Sequence, residues 1–213
     1  MKLPIVFYFD FVSPYAYIGS VAIERLAKRL GRDVEWRPIL IGITILKIMG
    51  MKPLPQYPLK GPYLKRDKER LSEWFNVPIR DHGLKGINSL LASRAFLHLR
   101  EVDEQQAKLF AQAVFRRLWL EGRDITQLAD VLEVAGSLDI DLDRLESELA
   151  TDRSKQMLRD EVDAGVEAGV FGVPTFLADG ELFWGNDHLW MLEHWLRHRS
   201  FRQEHNALAS DCQ

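Results

Sequence analysis

Residues 8–19, Y-F-D-F-V-S-P-Y-A-Y-I-G, decide the fold, because a strand turns into a helix within them. Residues 3–9 are β-branched and aromatic without polar alternation, which predicts a strand buried on both faces. Pro14 suits a first helical turn, since proline lacks the N–H that would be unpaired there. Helical periodicity then continues as far as Gly31. Ser13 therefore stands at a strand-to-helix junction, where an N-cap residue is expected.

Strand patterns occur before and after a long block of helical patterns. Residues 33–40 read as a second strand, so the opening β-α-β order predicts a parallel pair. Residues 50–62 hold four prolines and two glycines, which predicts a loop. From there to residue 168 everything reads as helical, and the clearest helix is 103–121 with Asp103 as its N-cap. A shorter helix is predicted over 124–134.

The last part of the chain returns to strands. Asp179-Gly180 between two apolar runs predicts a β-hairpin, and residues 187–199 follow as an amphipathic helix. The outline is therefore βαβ, a helical block, then ββα. We expect residues 202–213 to be disordered.

Composition excludes several classes of function. The 213 residues are 46% hydrophobic and 28% charged with a net charge of −3, and no large basic field argues for a nucleic-acid partner. No apolar run approaches the ~20 residues of a membrane span, so no membrane is expected, and the first residues lack a signal-peptide pattern. Cys212 is the only cysteine, so no disulfide within the chain and no dithiol redox cycle are expected. His194 and His198 lie four apart on the last helix without a neighbouring acid, so we expect no metal site.

Five stretches, in their order and spacing, resemble the 2-hydroxychromene-2-carboxylate isomerases, whose relatives are the kappa-class glutathione transferases. They are F-D-F-V-S-P-Y-A-Y at 9–17, I-L-I-G and the following lysine at 39–47, L-K-G-P-Y at 59–63, G-V-F-G-V-P-T-F at 169–176 and F-W-G-N-D-H-L at 183–189. The resemblance implies an α/β fold of the thioredoxin-like (βαβ–ββα) type, with a large all-helical insertion as in DsbA and the kappa-class transferases. It implies a thioredoxin-like domain of residues 1–42 and 169–201, interrupted by a helical insertion of residues 43–168.

The resemblance also gives Ser13 a chemical role. In disulfide enzymes of this fold a cysteine lies at the helix N-terminus, whose partial positive charge stabilises its thiolate. With Ser13 in that position the thiol must come from outside, and glutathione is implied as the donor. The Ser13 hydroxyl would donate a hydrogen bond to the glutathione sulfur. The alternative is a plain N-cap serine, while a covalent serine nucleophile lacks the G-x-S-x-G context.

Further residues are implied as glutathione ligands. Val173, before a cis Pro174, would pair its backbone with the cysteinyl part of glutathione. Asn186 and Asp187 would hold the γ-glutamyl group, and Lys60 would face the glycyl carboxylate. The alternative for Asn186 and Asp187 is that they cap the last helix.

The aromatic substrate is implied to meet Lys47, Tyr15 and Asn88. The alternative for Lys47, as for Lys60, is a solvated lysine on the proline-rich loop. The alternatives are a core position for Tyr15 and a helix cap for Asn88. The sequence departs from the family pattern at Met51 and over residues 81–86, both on the acceptor side of the pocket.

The implied activity is glutathione-dependent cis/trans isomerisation of 2-hydroxychromene-2-carboxylate to trans-o-hydroxybenzylidenepyruvate in aromatic catabolism. The protein would be a cytoplasmic homodimer acting on a small aromatic carboxylate. One alternative is a kappa-like glutathione transferase that conjugates electrophiles. Another is a non-catalytic thioredoxin-like module that binds glutathione or peptide. The lack of a cysteine pair excludes a disulfide oxidoreductase.

Overall fold

A four-stranded mixed sheet forms the centre of the molecule in a computed structural model that describes residues 2–80 and 82–202. Its strands are β1 (Ile5–Phe9), β2 (Val34–Pro38), β3 (Thr175–Ala178) and β4 (Glu181–Trp184), in the spatial order β2-β1-β3-β4. β1 and β2 are parallel, as the β-α-β opening predicts, and β3 is antiparallel to both of its neighbours. The thioredoxin-like α/β fold expected from the sequence is confirmed.

The second strand is shorter than residues 33–40. It ends at Pro38, although Ile39 N still donates to the Phe9 carbonyl of β1 at 2.8 Å. The chain then leaves the sheet and enters a π-helix, Gly42–Ile48, which sequence periodicity did not predict. A wider helix of this kind is often found at functional sites.

Helix α1 (Pro14–Leu30) connects the two parallel strands and has both predicted ends. Ser13 is its N-cap, and Gly31 closes it with a left-handed φ of 60°. One face of α1 is buried against the sheet, where Ile18, Ile23 and Leu26 are fully or nearly fully buried.

In the described part of the chain, six α-helices lie between β2 and β3. They are α2 (Lys60–Phe75), α3 (Leu90–Val102), α4 (Glu104–Trp119), α5 (Leu128–Gly136), α6 (Leu142–Ala150) and α7 (Asp152–Glu167). The predicted loop at 50–62 contains a 3₁₀ turn, Leu54–Gln56, and already includes the first residues of α2.

Two helix starts in this block depend on side-chain caps. Asp103 accepts from the N–H groups of Gln105 and Gln106, so the predicted N-cap of α4 is confirmed. The helix predicted at 124–134 begins later, at Leu128. The reason is that the Asp124 carboxylate accepts from the next two backbone N–H groups and holds a turn there instead.

An aromatic core joins this helical block to the sheet. The ring of Phe9 lies 5.3 Å from that of Phe96 and 5.8 Å from that of Phe115, and Phe11 lies 4.9 Å from Phe115. These β1 and post-β1 residues are fully buried. The strand that leads to Ser13 is therefore clamped between the sheet and the inserted helices.

The chain ends in a hairpin and a helix. Asp179 and Gly180 both have positive φ, at 52° and 89°, as a two-residue type I′ turn requires, so the hairpin is confirmed. The final helix α8 (Leu189–His198) starts later than residue 187, because a 3₁₀ turn, Asn186–His188, precedes it.

Three expectations from the sequence concern a membrane span, a metal site and the C-terminal tail. None of the helices in the described part of the chain is long and apolar enough to cross a membrane. Among the same residues no cluster of three potential metal-ligating side chains occurs. Cys212 and all of the predicted disordered tail except Arg202 lie outside the described residues.

Candidate active site

The site is built around the N-terminus of α1, where Ser13 is only 7% exposed. Its backbone is extended, with φ −100° and ψ 116°, and its Oγ accepts a hydrogen bond from Ala16 N at 3.2 Å. The N-cap interpretation is therefore correct. It is also compatible with catalysis, because the cap uses an Oγ lone pair and leaves the hydroxyl proton available.

Most backbone donors at this helix end are already committed within the chain, so the Ser13 hydroxyl is the donor that remains for a ligand. Pro14 contributes no N–H, Ala16 N is bonded to the serine, and Tyr17 N donates to the Ser13 carbonyl. No acidic residue lies in the first turn of the helix. Within residues 2–80 and 82–202, no acceptor takes the Ser13 hydroxyl proton. An incoming thiolate would meet that hydroxyl and the positive end of the helix dipole.

The second wall of the site is the loop before β3. The Val173-Pro174 peptide bond is cis, as expected from the resemblance. Gly185 N donates to the Pro174 carbonyl at 2.9 Å, which ties this loop to the end of β4. Val173 is half-buried, and over the described residues no partner is recorded for its own N–H or C=O. This backbone is free for β-like pairing with an extended ligand.

Close packing fixes α1 against this second wall. A Cβ placed on Gly19 would lie 2.8 Å from Asn186 Oδ1 and 3.1 Å from Pro174 Cβ, so no larger residue fits without a shift. Asn186 is buried, and its Nδ2 donates to the Tyr15 carbonyl at 2.9 Å. The serine end of α1 and the cis-proline loop are thus held in one rigid arrangement.

Asn186 and Asp187 do not cap the last helix, so that alternative is wrong. Neither the 3₁₀ turn nor α8 has a side-chain cap. The Asn186 amide is instead committed to the Tyr15 carbonyl, and its Oδ1 is buried with no partner among the described residues. The Asp187 side chain is 73% exposed and lies 3.6 Å from His188 Nδ1, so its carboxylate faces solvent.

Tyr15 bridges the site to helix α2. Its hydroxyl donates to the Leu64 carbonyl at 3.2 Å and lies 3.3 Å from Asp67 Oδ2. Burial, reinforced by the adjacent Asp67 carboxylate, raises the pKa of the Tyr15 phenol above its usual range. The phenol therefore stays protonated and is already bonded, which leaves its ring rather than its oxygen to face a substrate.

Both predicted lysines are exposed. Lys47 lies in the last turn of the π-helix, and Lys60 begins α2 with its Nζ 5.5 Å from the centre of the Tyr57 ring. Neither of them forms an ion pair within the described chain. Each ammonium is free to meet a ligand carboxylate.

Asn88 lies just before Ser89, the N-cap position of α3, so it is not the N-cap itself, but its side chain satisfies one donor at this helix start. Its Oδ1 accepts from Leu90 N at 3.3 Å, and its N–H donates to Thr126 Oγ1 at 3.3 Å. The neighbouring Ser89 does not cap the helix. Its hydroxyl donates to Asp10 Oδ1 at 2.6 Å instead.

Asp10 is a buried acid beside the candidate site that sequence reasoning did not single out. Its carboxylate is 1% exposed and lies three residues before Ser13. Burial raises the pKa of Asp10 from its ordinary value, although hydrogen bonds from Ser89, Ile41 and Val12 oppose this. The signal was present in the sequence as an acid inside an apolar strand-end run, F-D-F-V.

A thioredoxin-like sheet, a cis-proline loop and a serine at the helix N-terminus define a class of thioredoxin-fold proteins that lack the redox cysteine. The comparisons agree with this class. Residues 4–197 match the family model of the DSBA-like thioredoxin domain. The chain therefore belongs to the DSBA-like thioredoxin family, in the group that includes the 2-hydroxychromene-2-carboxylate isomerases and the kappa-class glutathione transferases.

Three relatives define that group. A 2-hydroxychromene-2-carboxylate isomerase of Sphingobium xenophagum is 31% identical over 92% of this chain and 99% of its own length. The human glutathione S-transferase kappa 1 is 27% identical over 89% of this chain and 88% of its own. A solved structure of a 2-hydroxychromene-2-carboxylate isomerase superposes with a TM-score of 0.82 at 27% identity, covering 92% of this chain and 95% of the other.

Proposed function

We propose that this protein is a glutathione-dependent isomerase that converts 2-hydroxychromene-2-carboxylate to trans-o-hydroxybenzylidenepyruvate. The observation that carries the proposal is Ser13, a buried N-cap serine whose hydroxyl proton has no acceptor among the described residues. The isomerase relative at 31% identity over 92% of the chain supports the same reaction.

Glutathione supplies the thiol that the site lacks. Lowering a thiol pKa from ~8.5 to ~6.5 requires about 2.7 kcal/mol. A helix N-terminus contributes roughly 0.3–2 kcal/mol, and a hydrogen bond to a charged group roughly 1.5–3 kcal/mol. The α1 N-terminus and the Ser13 hydroxyl are together sufficient, without a neighbouring cation.

The rest of glutathione would extend along the cis-proline loop. The free backbone of Val173 pairs with the cysteinyl residue, and the exposed Asp187 carboxylate binds the γ-glutamyl ammonium. The γ-glutamyl carboxylate meets backbone N–H groups near Asn186. The Asn186 side chain itself donates to the Tyr15 carbonyl and holds this segment against α1. Lys60 binds the glycyl carboxylate.

The chemistry is reversible addition of a thiolate. The hemiketal ring first opens: the bond between C2 and the ring oxygen breaks, C2 becomes a ketone and the C2 hydroxyl proton passes to the phenol oxygen. Glutathione gives its thiol proton to solvent, and the thiolate adds to the conjugated carbon–carbon double bond of the ring-opened substrate, so that a C–S bond forms and the electron pair moves to the keto acid oxygen. The former double bond is now single and rotates. The electron pair then returns, the trans double bond forms and the C–S bond breaks, which regenerates the glutathione thiolate.

The aromatic acid would lie against the insertion. Lys47 binds its carboxylate, Asn88 borders the pocket, and the Tyr15 ring packs against the aromatic group.

We include in the proposal a homodimeric assembly and a cytoplasmic location. Both rest on the family resemblance.

A second candidate is a kappa-like transferase, which the similarity to human glutathione S-transferase kappa 1 supports. Both activities use the same sulfur site, but only the transferase consumes glutathione. A third, a module that binds glutathione or peptide without turnover, would give neither product.

The test is an ultraviolet time course of 2-hydroxychromene-2-carboxylate with the protein, with and without glutathione, followed by quantification of glutathione. Conversion that requires glutathione and consumes none supports the isomerase. If no conversion occurs, this substrate is wrong. Glutathione lost to an adduct of a general electrophile would then favour the transferase.

A further inference from the structure

The Asp10 carboxylate receives hydrogen bonds from three separate segments of the chain. Oδ1 accepts from Val12 N at 3.2 Å and from the Ser89 hydroxyl at 2.6 Å. Oδ2 accepts from Ile41 N at 2.9 Å. Asp10 thereby joins the turn before α1, the start of the π-helix and the turn before α3.

Each of these three segments carries a residue of the proposed site. Val12 is next to Ser13, Ile41 is the N-cap of the π-helix that holds Lys47, and Ser89 follows Asn88. One side chain thus connects Ser13, in the glutathione half of the proposed site, to the segments of Lys47 and Asn88, which belong to its aromatic-acid half.

Burying the Asp10 carboxylate is energetically unfavourable for the fold. Asp10 is 1% exposed and forms no ion pair in the described part of the chain, so only the three hydrogen bonds offset the cost of its burial. Buried acids without a cation destabilise a fold, and they concentrate at functional sites. A serine or asparagine would satisfy the turn before α1 locally, but neither offers acceptors to three segments at once.

We infer that Asp10 is a positioning residue, which acts through Ser89 and Ile41 to hold the aromatic-acid half of the site in register with the sulfur position. This rests on the proposed function for the identity of the two halves. Asp10 touches neither glutathione nor the acid. It sets the distance between the Ser13-held sulfur and the segments that carry Lys47 and Asn88.

The kinetic test uses Ser89→Ala, which removes one donor to Asp10 and leaves both backbone donors in place. The expected result is a rise of about fivefold or more in KM for 2-hydroxychromene-2-carboxylate, with glutathione affinity unchanged within about twofold. The matched control is Ser154→Ala, another buried serine of the helical block, whose hydroxyl accepts from Arg94 Nε at 3.0 Å and has no hydrogen bond to Asp10, Ile41 or Ser89 in the described part of the chain. It should leave both constants unchanged. An unaltered KM in Ser89→Ala would overturn the inference.

The structural test does not need turnover. In Asp10→Asn, hydrogen exchange of residues 41–48 and 87–91 should be at least about tenfold faster, while exchange in α5 stays the same. Equal acceleration everywhere, or none in the two segments, would contradict the positioning role. If Asp10→Asn does not fold, exchange in Ser89→Ala provides the same comparison for residues 87–91.

The two proposals fail differently. If the wild-type protein converts no substrate, the proposed function is wrong, and the exchange experiment still decides whether Asp10 holds the two segments. If the wild type is active and both variants match it in KM and exchange, the positioning role alone is wrong.

Discussion

Replacing Ser13 with alanine removes two contacts made by one oxygen. The first is the cap on Ala16 N at 3.2 Å, which belongs to the fold. The second is the proposed hydrogen bond to the glutathione sulfur, which belongs to the chemistry. The two losses are separable, because only the second changes the pKa of bound glutathione.

The magnitudes follow from each contact. Loss of an N-cap costs about 0.5–2 kcal/mol of unfolding free energy. Loss of a hydrogen bond to a charged sulfur, roughly 1.5–3 kcal/mol, raises the thiol pKa by about 1–2 units. From a starting pKa of ~6.5 this lowers the thiolate fraction at pH 7 by about 3-fold to 25-fold, and by less than about twofold at pH 9.5. The thiol pKa rises because the thiolate loses a hydrogen-bond donor. The rate defect therefore shrinks as pH rises and the thiol ionises in the variant as well.

The assay is the isomerase rate of Ser13→Ala between pH 6 and 9.5, together with the thiolate ultraviolet absorbance of bound glutathione over the same range. Ser20→Ala is the control on the same helix, because its buried hydroxyl donates only to the Tyr17 carbonyl. Thr151→Ala is the control for cap loss, since Thr151 caps α7 by accepting from Ser154 N. Both controls should keep the wild-type pH profile.

One result would refute the reasoning. If Ser13→Ala loses the same factor at every pH and the bound thiol titrates at its wild-type pKa, the serine does not stabilise the thiolate. A variant as active as the wild type would leave only the cap role for Ser13.

Two further changes test the surroundings of the site, and a third tests the ion pairs of the β3–β4 turn. Gly19→Ala introduces a methyl group 2.8 Å from Asn186 Oδ1, so we expect a stability loss of about 1–3 kcal/mol by denaturation and weaker glutathione binding by titration; wild-type values would contradict the close packing. Tyr15→Phe removes the hydroxyl near Asp67, and we expect about 1 kcal/mol lower stability with KM for the acid within about twofold, whereas a tenfold rise would assign the hydroxyl to substrate. Asp179 has a pKa lowered by its guanidinium partners, so its contribution is present above the unfolded pKa near 4 and disappears as pH falls; Asp179→Asn should be less stable at pH 7 by about 1–3 kcal/mol and lose less stability toward pH 2, as measured by denaturation at each pH.

Local sequence signals predicted the start of α1 at Ser13 and the final hairpin correctly. Pro14 after a serine marks a helix start, and Asp179-Gly180 marks a hairpin, because both act through the backbone of neighbouring residues. Local signals were misleading where a side chain has a second possible hydrogen-bond partner besides the helix that follows it. Asp124 holds a turn instead of starting a helix, and Asn186 turns its amide to the Tyr15 carbonyl, 171 residues away in sequence, instead of capping the helix that follows.

The aromatic-acid half could not be predicted in the same way, because its geometry depends on contacts between distant segments. The bond from Ser89 to Asp10 spans 79 residues, and no pattern around either residue indicates it. The same fact bears on specificity. In the proposed function, thiolate stabilisation needs only the N-terminus of α1 and its serine, whereas the acceptor pocket needs the insertion to be held at a fixed distance from them. Under that proposal, substitutions in the insertion would change the electrophile while the sulfur chemistry stays the same, which agrees with the similarity of this chain both to isomerases and to kappa-class transferases.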